Sequence, residues 1–450
     1  MRPELAIRYA EERLPRYTSY PTAPQFGPAV GPPTYETWLG DVPDGATGSL
    51  YVHVPFCRRM CWYCGCNTSV ASRPEPIADY VAALGTEIAM VATRLPRRLA
   101  ASHVHFGGGT PTIVTPGQLR LLVDRLRAAF DVLPDAELAI EIDPRVLTAP
   151  MASALGAAGV TRASLGVQSL DPAVQAAINR LQGLDGTMRA VDRLRGAGVA
   201  GINIDLIYGL PRQTVASVIA TAEACAALRP DRLSVFGYAH VPGFKRHQRR
   251  IDERTLPGGP ERAAQAEAIA ATLAAAGYVR IGLDHFALPE DPMARAAGAG
   301  SLHRNFQGYT TDTADLLLGL GASAIGRLPQ GYVQNAAVTR DYLAAIAGGR
   351  LATVRGRALR GDDRLRAELI ERLMCDFEVD IAAVCRRHDE TEAAVADAFP
   401  KLDRLAADGI LRRDGSRVAM NEDTRDLVRV AAAAFDAYRA SSGAIHSRAV

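Results

Sequence analysis

The chain has 450 residues, 48% of them hydrophobic, and a formal net charge of +2. That length accommodates one large domain and a smaller one, and the near-neutral charge excludes the global basic field of a polyanion binder. No apolar run reaches membrane-span length and no basic-then-apolar leader opens the chain, so no nucleic-acid or membrane partner and a cytoplasmic location are expected.

Residues 1–45 are rich in proline and turn formers, and Arg16-Tyr-Thr-Ser-Tyr-Pro21 is neither helix nor clear strand. The segment reads either as an extended arm packed on the main domain or as a cover over a site. The apolar run Leu50–Phe56 then reads as a buried strand leading into Cys57-Arg-Arg-Met-Cys61-Trp-Tyr-Cys64-Gly-Cys66, which holds four of the seven cysteines. In a cytoplasmic chain such a cluster points to metal rather than to disulfides. Three readings stand: structural zinc, a cluster ligated by four cysteines, and a cluster ligated by three with one iron left open. Cys225, Cys375 and Cys385 lie in helical patterns and read as small core residues.

Short β-rich runs then alternate with helical periodicity. The runs are Leu50–Phe56, His103–Phe106, Leu138–Ile142, Arg162–Val167, Ile202–Tyr208 and Arg232–Tyr238; the helical stretches are 77–95, 116–130, 184–196 and 215–228. This alternation predicts parallel βα units in a barrel or partial barrel, with function at the carboxyl ends of the strands. Polar or glycine-rich features stand at those ends: the cysteines, Gly107-Gly-Gly-Thr-Pro111, Glu141 with Asp143, Gln168, Asp205 within the fifth run, and Tyr238-Ala-His240.

Beyond residue 245 the character changes. The basic run 245–250 reads as a solvated loop or helix face in preference to an anion site. A helix is expected over 261–276 and a strand over 279–283. Residues 303–311 read as a polar, aromatic loop, and the glycine-rich 318–325 as tight packing or close backbone approach to a ligand. From about 351 a small helical domain is expected, with amphipathic helices over 364–377 and 393–408 and a hairpin about Asp414-Gly415, resembling a winged helix.

C-x3-C-x2-C with Tyr63 before the third cysteine resembles the radical S-adenosylmethionine superfamily. Arg16–Pro21, Phe56–Asn67, Asn203–Pro211, Tyr238–His240 and His303–Thr311, in that order, resemble the oxygen-independent coproporphyrinogen III oxidase family. The resemblance implies an α/β fold, a partial (β/α)6-type barrel over 46–350, with an N-terminal arm (1–45) covering the active site and a mainly helical C-terminal domain (351–450). It implies that Cys57, Cys61 and Cys64 hold a [4Fe–4S] cluster whose open iron binds S-adenosylmethionine. A 5′-deoxyadenosyl radical then converts two propionates of coproporphyrinogen III to vinyl groups, giving protoporphyrinogen IX. A haem-binding chaperone sharing the three-cysteine loop is the alternative within the relatives.

The same resemblance assigns Tyr51, Tyr63, Gly108, Gly109, Thr110, Glu141, Gln168, Arg180, Asp205, Ala239 and Ile325 to the cofactor pocket. It assigns Arg16, His303 and Arg304 to the propionates, and Gln307 to substrate or a second S-adenosylmethionine. Cys66 matches a fourth cysteine of the family outside the ligand set. Gly237 departs from the family pattern, which has a polar residue there. The implied partners are coproporphyrinogen III, a low-potential electron donor and an electron acceptor, and a monomer is expected.

Overall fold

The computed structural model describes residue 9 and residues 12–439, so the expected features of residues 1–8, 10–11 and 440–450 lie outside the described part. Strand β1 (Thr47–Val54) is followed by the two-residue strands β2 (Phe56–Cys57) and β3 (Ser69–Val70). Next come β4 (Ala100–Gly108), β5 (Asp131–Ile142), β6 (Arg162–Gln168), β7 (Gly201–Tyr208) and β8 (Arg232–Gly237), each preceded by a helix of nine residues or more. Strands β1 and β4–β8 pair in parallel, in chain order.

The sheet does not stop at six strands. Beyond β8 lie β9 (Val279–Ile281) and β10 (His285–Ala287), antiparallel. A small hairpin, β11 (His303–Asn305) and β12 (Gly308–Thr310), stands apart from the sheet. Strand β13 (Leu316–Leu320) then returns to pair in parallel with β1, and β14 (Ile325–Leu328), β15 (Gly331–Asn335) and β16 (Thr353–Ala358) continue antiparallel. The result is one twelve-stranded sheet with β16 and β9 at its edges: an open, partial barrel.

Alternation along each strand decides what faces where. Leu50, Val52 and Val54, Val104 and Phe106, Leu138, Ile140 and Ile142, Leu165 and Val167, Ile202, Ile204 and Leu206, and Leu233 and Val235 all enter one core with the covering helices. Each such buried side chain contributes roughly 1.5–3 kcal/mol. The alternate positions are mostly polar: Tyr51 and His53, His103 and His105, Glu137 and Glu141, Ser164, Asn203 and Asp205, Arg232 and Ser234. They bond laterally across the opposite face. Asn203 Nδ2 donates to Ser164 Oγ at 2.7 Å and to Asp205 Oδ1 at 2.8 Å, and Ser164 Oγ to Asp205 Oδ2 at 2.9 Å. Lower on that face Asp291 joins Arg232 and Arg162.

The helices start where capping chemistry predicts. Thr115 Oγ1 accepts from Gln118 N while Gln118 Oε1 accepts from Thr115 N, with Pro116 in the first turn. Several expectations need correction. Residues 303–311 are a β-hairpin, closed by Asn305↔Gly308 with Gly308 at φ +118°, a turn no helical or strand periodicity reveals. The expected single helix over 393–408 is a 3-10 turn, Glu392–Ala398, and a helix, Phe399–Ala407; Val395 breaks the path at φ −126°, and Pro400 sits in the first turn of the new helix. The glycine-rich 318–325 is a tight strand turn in which a Cβ on Gly319 would lie 2.5 Å from Ile325 O.

The C-terminal unit adds strands β17 (Glu378–Asp380), β18 (Leu411–Asp414) and β19 (Arg417–Met420), ordered β17–β19–β18, with Gly415 at φ +57° in the hairpin turn. Its core takes in Leu14, Tyr17 and Tyr20, so the arm is built into this unit. Cys225, Cys375 and Cys385 are buried. No helix among the described residues is long and apolar enough to cross a membrane.

Candidate active site

The cysteine loop is tied at both ends. Strands β2 and β3 pair across it, Phe56↔Ser69 and Cys57↔Val70, and Ala71 N donates to Cys57 O at 3.0 Å. Two distant segments then hold its middle. Asn179 Nδ2 donates to Met60 O at 2.9 Å and Trp62 N to Ile178 O at 2.9 Å. The basic run, expected to be a solvated face, is a 3-10 turn over Arg246–Arg250 clasping the other side. Gln248 Nε2 donates to Tyr63 O at 2.8 Å, His247 Nε2 to Cys64 O at 2.7 Å and Lys245 Nζ to Cys66 O at 2.9 Å. Gln248 is fully buried; it also donates to Ala239 O at 3.3 Å and accepts from Val241 N at 2.6 Å, joining the loop to the segment after β8. Nothing in the run's composition distinguishes a clasp from a wet surface.

Each of the three C-x3-C-x2-C sulfurs has a donor. Thr68 Oγ1 and Thr110 Oγ1 donate to Cys57 Sγ at 3.3 and 3.4 Å, and Arg180 Nη1 and Arg145 Nη2 to Cys61 Sγ at 3.4 and 3.5 Å. The Cys66 thiol donates to Cys64, drawing the Cys64 thiol down to about 7 while its own is pushed well up. Burial pushes the Cys57 thiol up, against the two hydroxyls. Donors aimed at sulfur stabilise thiolate charge, as cluster ligation requires. The donor set fits an iron–sulfur cluster.

Beside the loop, Asp143 receives a two-pronged contact from Arg145, with Nε–Oδ1 at 2.9 Å and Nη2–Oδ2 at 2.6 Å, and Arg180 approaches its Oδ1 at 3.4 Å. Burial acts to raise Asp143, but Arg145 and Arg180 hold it below the usual carboxylate range. Arg180 also donates to Gly166 O, while its Nε has no partner. Arg145 and Thr68 were missed at the sequence level, since neither lies in a recognisable motif.

The glycine turn after β4 wraps beneath the loop: Gly109 N donates to Val54 O at 2.9 Å and Thr110 N to Phe56 O at 2.8 Å. A Cβ on Gly109 would lie 2.4 Å from Thr68 Oγ1, so glycine here serves close protein packing. Gly108, at φ +122°, donates to Glu141 Oε2 at 3.0 Å, and Tyr51 meets His53 Nδ1 at 3.0 Å. Desolvation pushes the Asp205 carboxyl above its ordinary value. Gln168 sits at φ +71°, at the register shift between β6 and β7; a left-handed non-glycine residue costs on the order of 1 kcal/mol and marks a position held by its surroundings.

Over the ends of β7 and β8 lies a cavity of about 700 Å³, lined in part by Tyr208, Phe236, Tyr238 and Ala239. Six arginines face it, Arg13, Arg16, Arg262, Arg280, Arg304 and Arg429, against three carboxylates, Glu253, Asp284 and Asp426. Arg16 Nη2 donates to Gly237 O at 3.3 Å, so the arm reaches the rim. A Cβ on Gly237 would meet Tyr208 Oη at 2.9 Å; the place of the expected polar side chain is taken by this ring and Arg262. Arg304 stacks on Tyr309 at 4.3 Å and leaves Nε and Nη1 unpartnered. Burial, then Arg16 and Arg304, pull Arg429 down to about 10, and its Nε donates to Pro15 O at 3.0 Å. His303 meets Glu371 at 3.4 Å and Gln307 N donates to Asn305; neither residue lines this cavity. Ile325 begins β14, on the far side of β1.

Residues 51–225 match the Radical SAM superfamily and residues 359–426 the HemN C-terminal domain. The oxygen-independent coproporphyrinogen III oxidase of Bradyrhizobium diazoefficiens is 56% identical over the whole of both chains. The enzyme of that name from Pseudomonas aeruginosa is 43% identical, over 96% of this chain and 95% of its own. The solved structure of coproporphyrinogen III oxidase (HemN) from Escherichia coli, described as a radical SAM enzyme, superposes with a TM-score of 0.90 at 37% identity, covering 95% of this chain and all of the other.

Proposed function

Because the chain belongs to the family of oxygen-independent coproporphyrinogen III oxidases, we propose that it oxidatively decarboxylates two propionates of coproporphyrinogen III to vinyl groups, giving protoporphyrinogen IX for haem synthesis. The observation that carries the substrate reading is the cavity with six arginines at the ends of β7 and β8, beside the segment that clasps the cysteine loop. A porphyrinogen with four propionates supplies the carboxylates such a cavity needs, and its apolar rings suit Tyr208, Phe236 and Tyr238. Arg16 and Arg304 bind propionates in this reading. His303 and Gln307, on the hairpin that carries Arg304, position Arg304 or meet substrate at the rim.

Cys57, Cys61 and Cys64 would hold a [4Fe–4S] cluster. Tyr51, Tyr63, Gly108, Gly109, Thr110, Glu141, Gln168, Arg180, Asp205, Ala239 and Ile325 would surround S-adenosylmethionine. When bound, the two supply the one-electron chemistry that removes a hydrogen atom from a propionate β-carbon. The chain's own residues orient and desolvate. Arg145, Arg180, Thr68 and Thr110 bear on the thiolates, the arginines of the cavity fix the propionate ends, and the arm bearing Arg16 limits water at the rim. Cys66 stays outside the ligand set. The protein acts as a cytoplasmic monomer, with a low-potential electron donor and an electron acceptor as partners, and with residues 1–45 as arm, 46–350 as catalytic domain and 351–450 as helical domain.

The test is an anaerobic assay with coproporphyrinogen III, S-adenosylmethionine and dithionite. Two vinyl groups per porphyrinogen are expected. Tight haem binding without vinyl product would move the assignment to a haem-carrying relative.

A further inference from the structure

The charge around the cysteine loop is segregated in a way the reaction site does not use. Residues 45–74, which contain the loop, include Arg58, Arg59 and Arg73 and no aspartate or glutamate. Residues 238–251, which clasp it, include Lys245, Arg246, Arg249 and Arg250 and again no acid. These seven cations belong to a chain whose net charge is only +2, so the remainder is net negative. Folding packs the two segments against each other: Lys245 binds Cys66 O, His247 binds Cys64 O, and the Arg250 guanidinium lies 5.9 Å from the centre of the Trp62 ring. Arg58, Arg59, Arg246, Arg249 and Arg250 are exposed, and the loop itself reaches solvent at Gly65 and Cys66. The arginines of the substrate cavity are a separate set; none of these five lines it.

We propose that this basic rim is the docking surface for an acidic protein carrying a low-potential one-electron group. The inference rests on the functional reading above, in which the oxidation of each propionate requires one electron from a donor to generate the radical that removes its hydrogen atom. The carrier is oxidised by one electron, the group held by the three thiolates is reduced by one, and no proton or bond crosses the interface. Opposite charge steers the encounter and fixes its orientation, and exposed pairs of this kind weaken with salt. The docked carrier meets the chain where the cysteine loop is uncovered, so the electron enters without passing through the substrate cavity.

The experiment compares the anaerobic holoenzyme with its Arg59→Glu/Arg246→Glu and Arg59→Gln/Arg246→Gln variants, using an acidic [2Fe–2S] ferredoxin as probe. Calorimetric titration reads binding directly. A Kd at least tenfold weaker is expected for charge reversal, with an intermediate value for neutralisation and a steep loss with added salt in the parent. Vinyl formation driven by reduced ferredoxin falls in parallel, while the rate with dithionite stays within twofold. Unchanged ferredoxin affinity in both variants would overturn the proposal, as would equally tight parent binding to phosphatidylserine vesicles, which would mark a general anion surface. Absence of vinyl product from the parent with dithionite would instead overturn the functional reading, while the binding data still decide the docking surface.

Discussion

Replacing Gln248 with alanine should loosen the cysteine loop without unfolding the protein. The side chain is fully buried, and its amide makes three hydrogen bonds: to Tyr63 O at 2.8 Å, to Ala239 O at 3.3 Å and from Val241 N at 2.6 Å. Each is worth about 1 kcal/mol net, and the long bond to Ala239 less, so their joint loss is about 2–3 kcal/mol. At 1.4 kcal/mol per decade that raises the open population of the loop by roughly 30- to 150-fold. The other anchors, at Met60, Trp62 and the β2–β3 pair, remain, so the change is local. The assay is the anaerobic rate of iron transfer from the reconstituted protein to a ferrous chelator, read beside the denaturant midpoint. Release should accelerate by about two decades with a much smaller proportional change in midpoint. Gln248→Glu should behave similarly, since it keeps the acceptor for Val241 but turns a carboxylate oxygen toward the Tyr63 and Ala239 carbonyls. Parent-like release rates in both variants would refute the clasp.

Cys66→Ser should retain iron–sulfur absorbance and lose vinyl formation; loss of the absorbance would make Cys66 a ligand. Arg304→Met should raise KM for coproporphyrinogen about 10- to 100-fold with iron content unchanged, because it removes one charged contact worth about 1.5–3 kcal/mol; an unchanged KM would remove Arg304 from the propionate set. Glu87 is buried against Tyr342, Asn335 and Gly321 N, and burial lifts its carboxyl from 4.5 to about 7. Its folded pKa lies above the unfolded one, so its contribution is fully present below pH 4.5 and is lost as pH rises through 7, a change on the order of 3 kcal/mol. The denaturant midpoint of the parent should therefore fall relative to Glu87→Gln between pH 5 and 8; parallel profiles would show that Glu87 does not titrate in this range.

Much of the fold was legible because it is written in local periods. The six parallel strands fall where the β-rich runs predict, and the helix Leu184–Gly196 has the expected limits. The period-2 pattern also held information that the runs alone did not use: Leu50, Val52 and Val54 alternate with Tyr51 and His53, separating the core from the polar face. What stayed hidden lay in turns and interruptions. The 303–311 hairpin depends on Gly308 at φ +118°, and the break at Val395 on a backbone path that amphipathic spacing does not encode.

The cysteine loop, the glycine turn and each strand end are short stretches, each contiguous within itself in the chain. Their chemistry could be read from the sequence because a strand end and its loop are set by neighbours a few residues away. The arginines of the cavity run from Arg13 to Arg429, and the donors on the loop come from Thr68, Thr110, Arg145, Arg180 and Lys245–Gln248. An arginine on a solvated helix and one facing a cavity are the same residue in a sequence rich in arginine. Only closure of long loops by the sheet and the C-terminal unit concentrates their charge, and only that closure turned a basic run with the composition of a wet surface into the clasp on the cysteine loop.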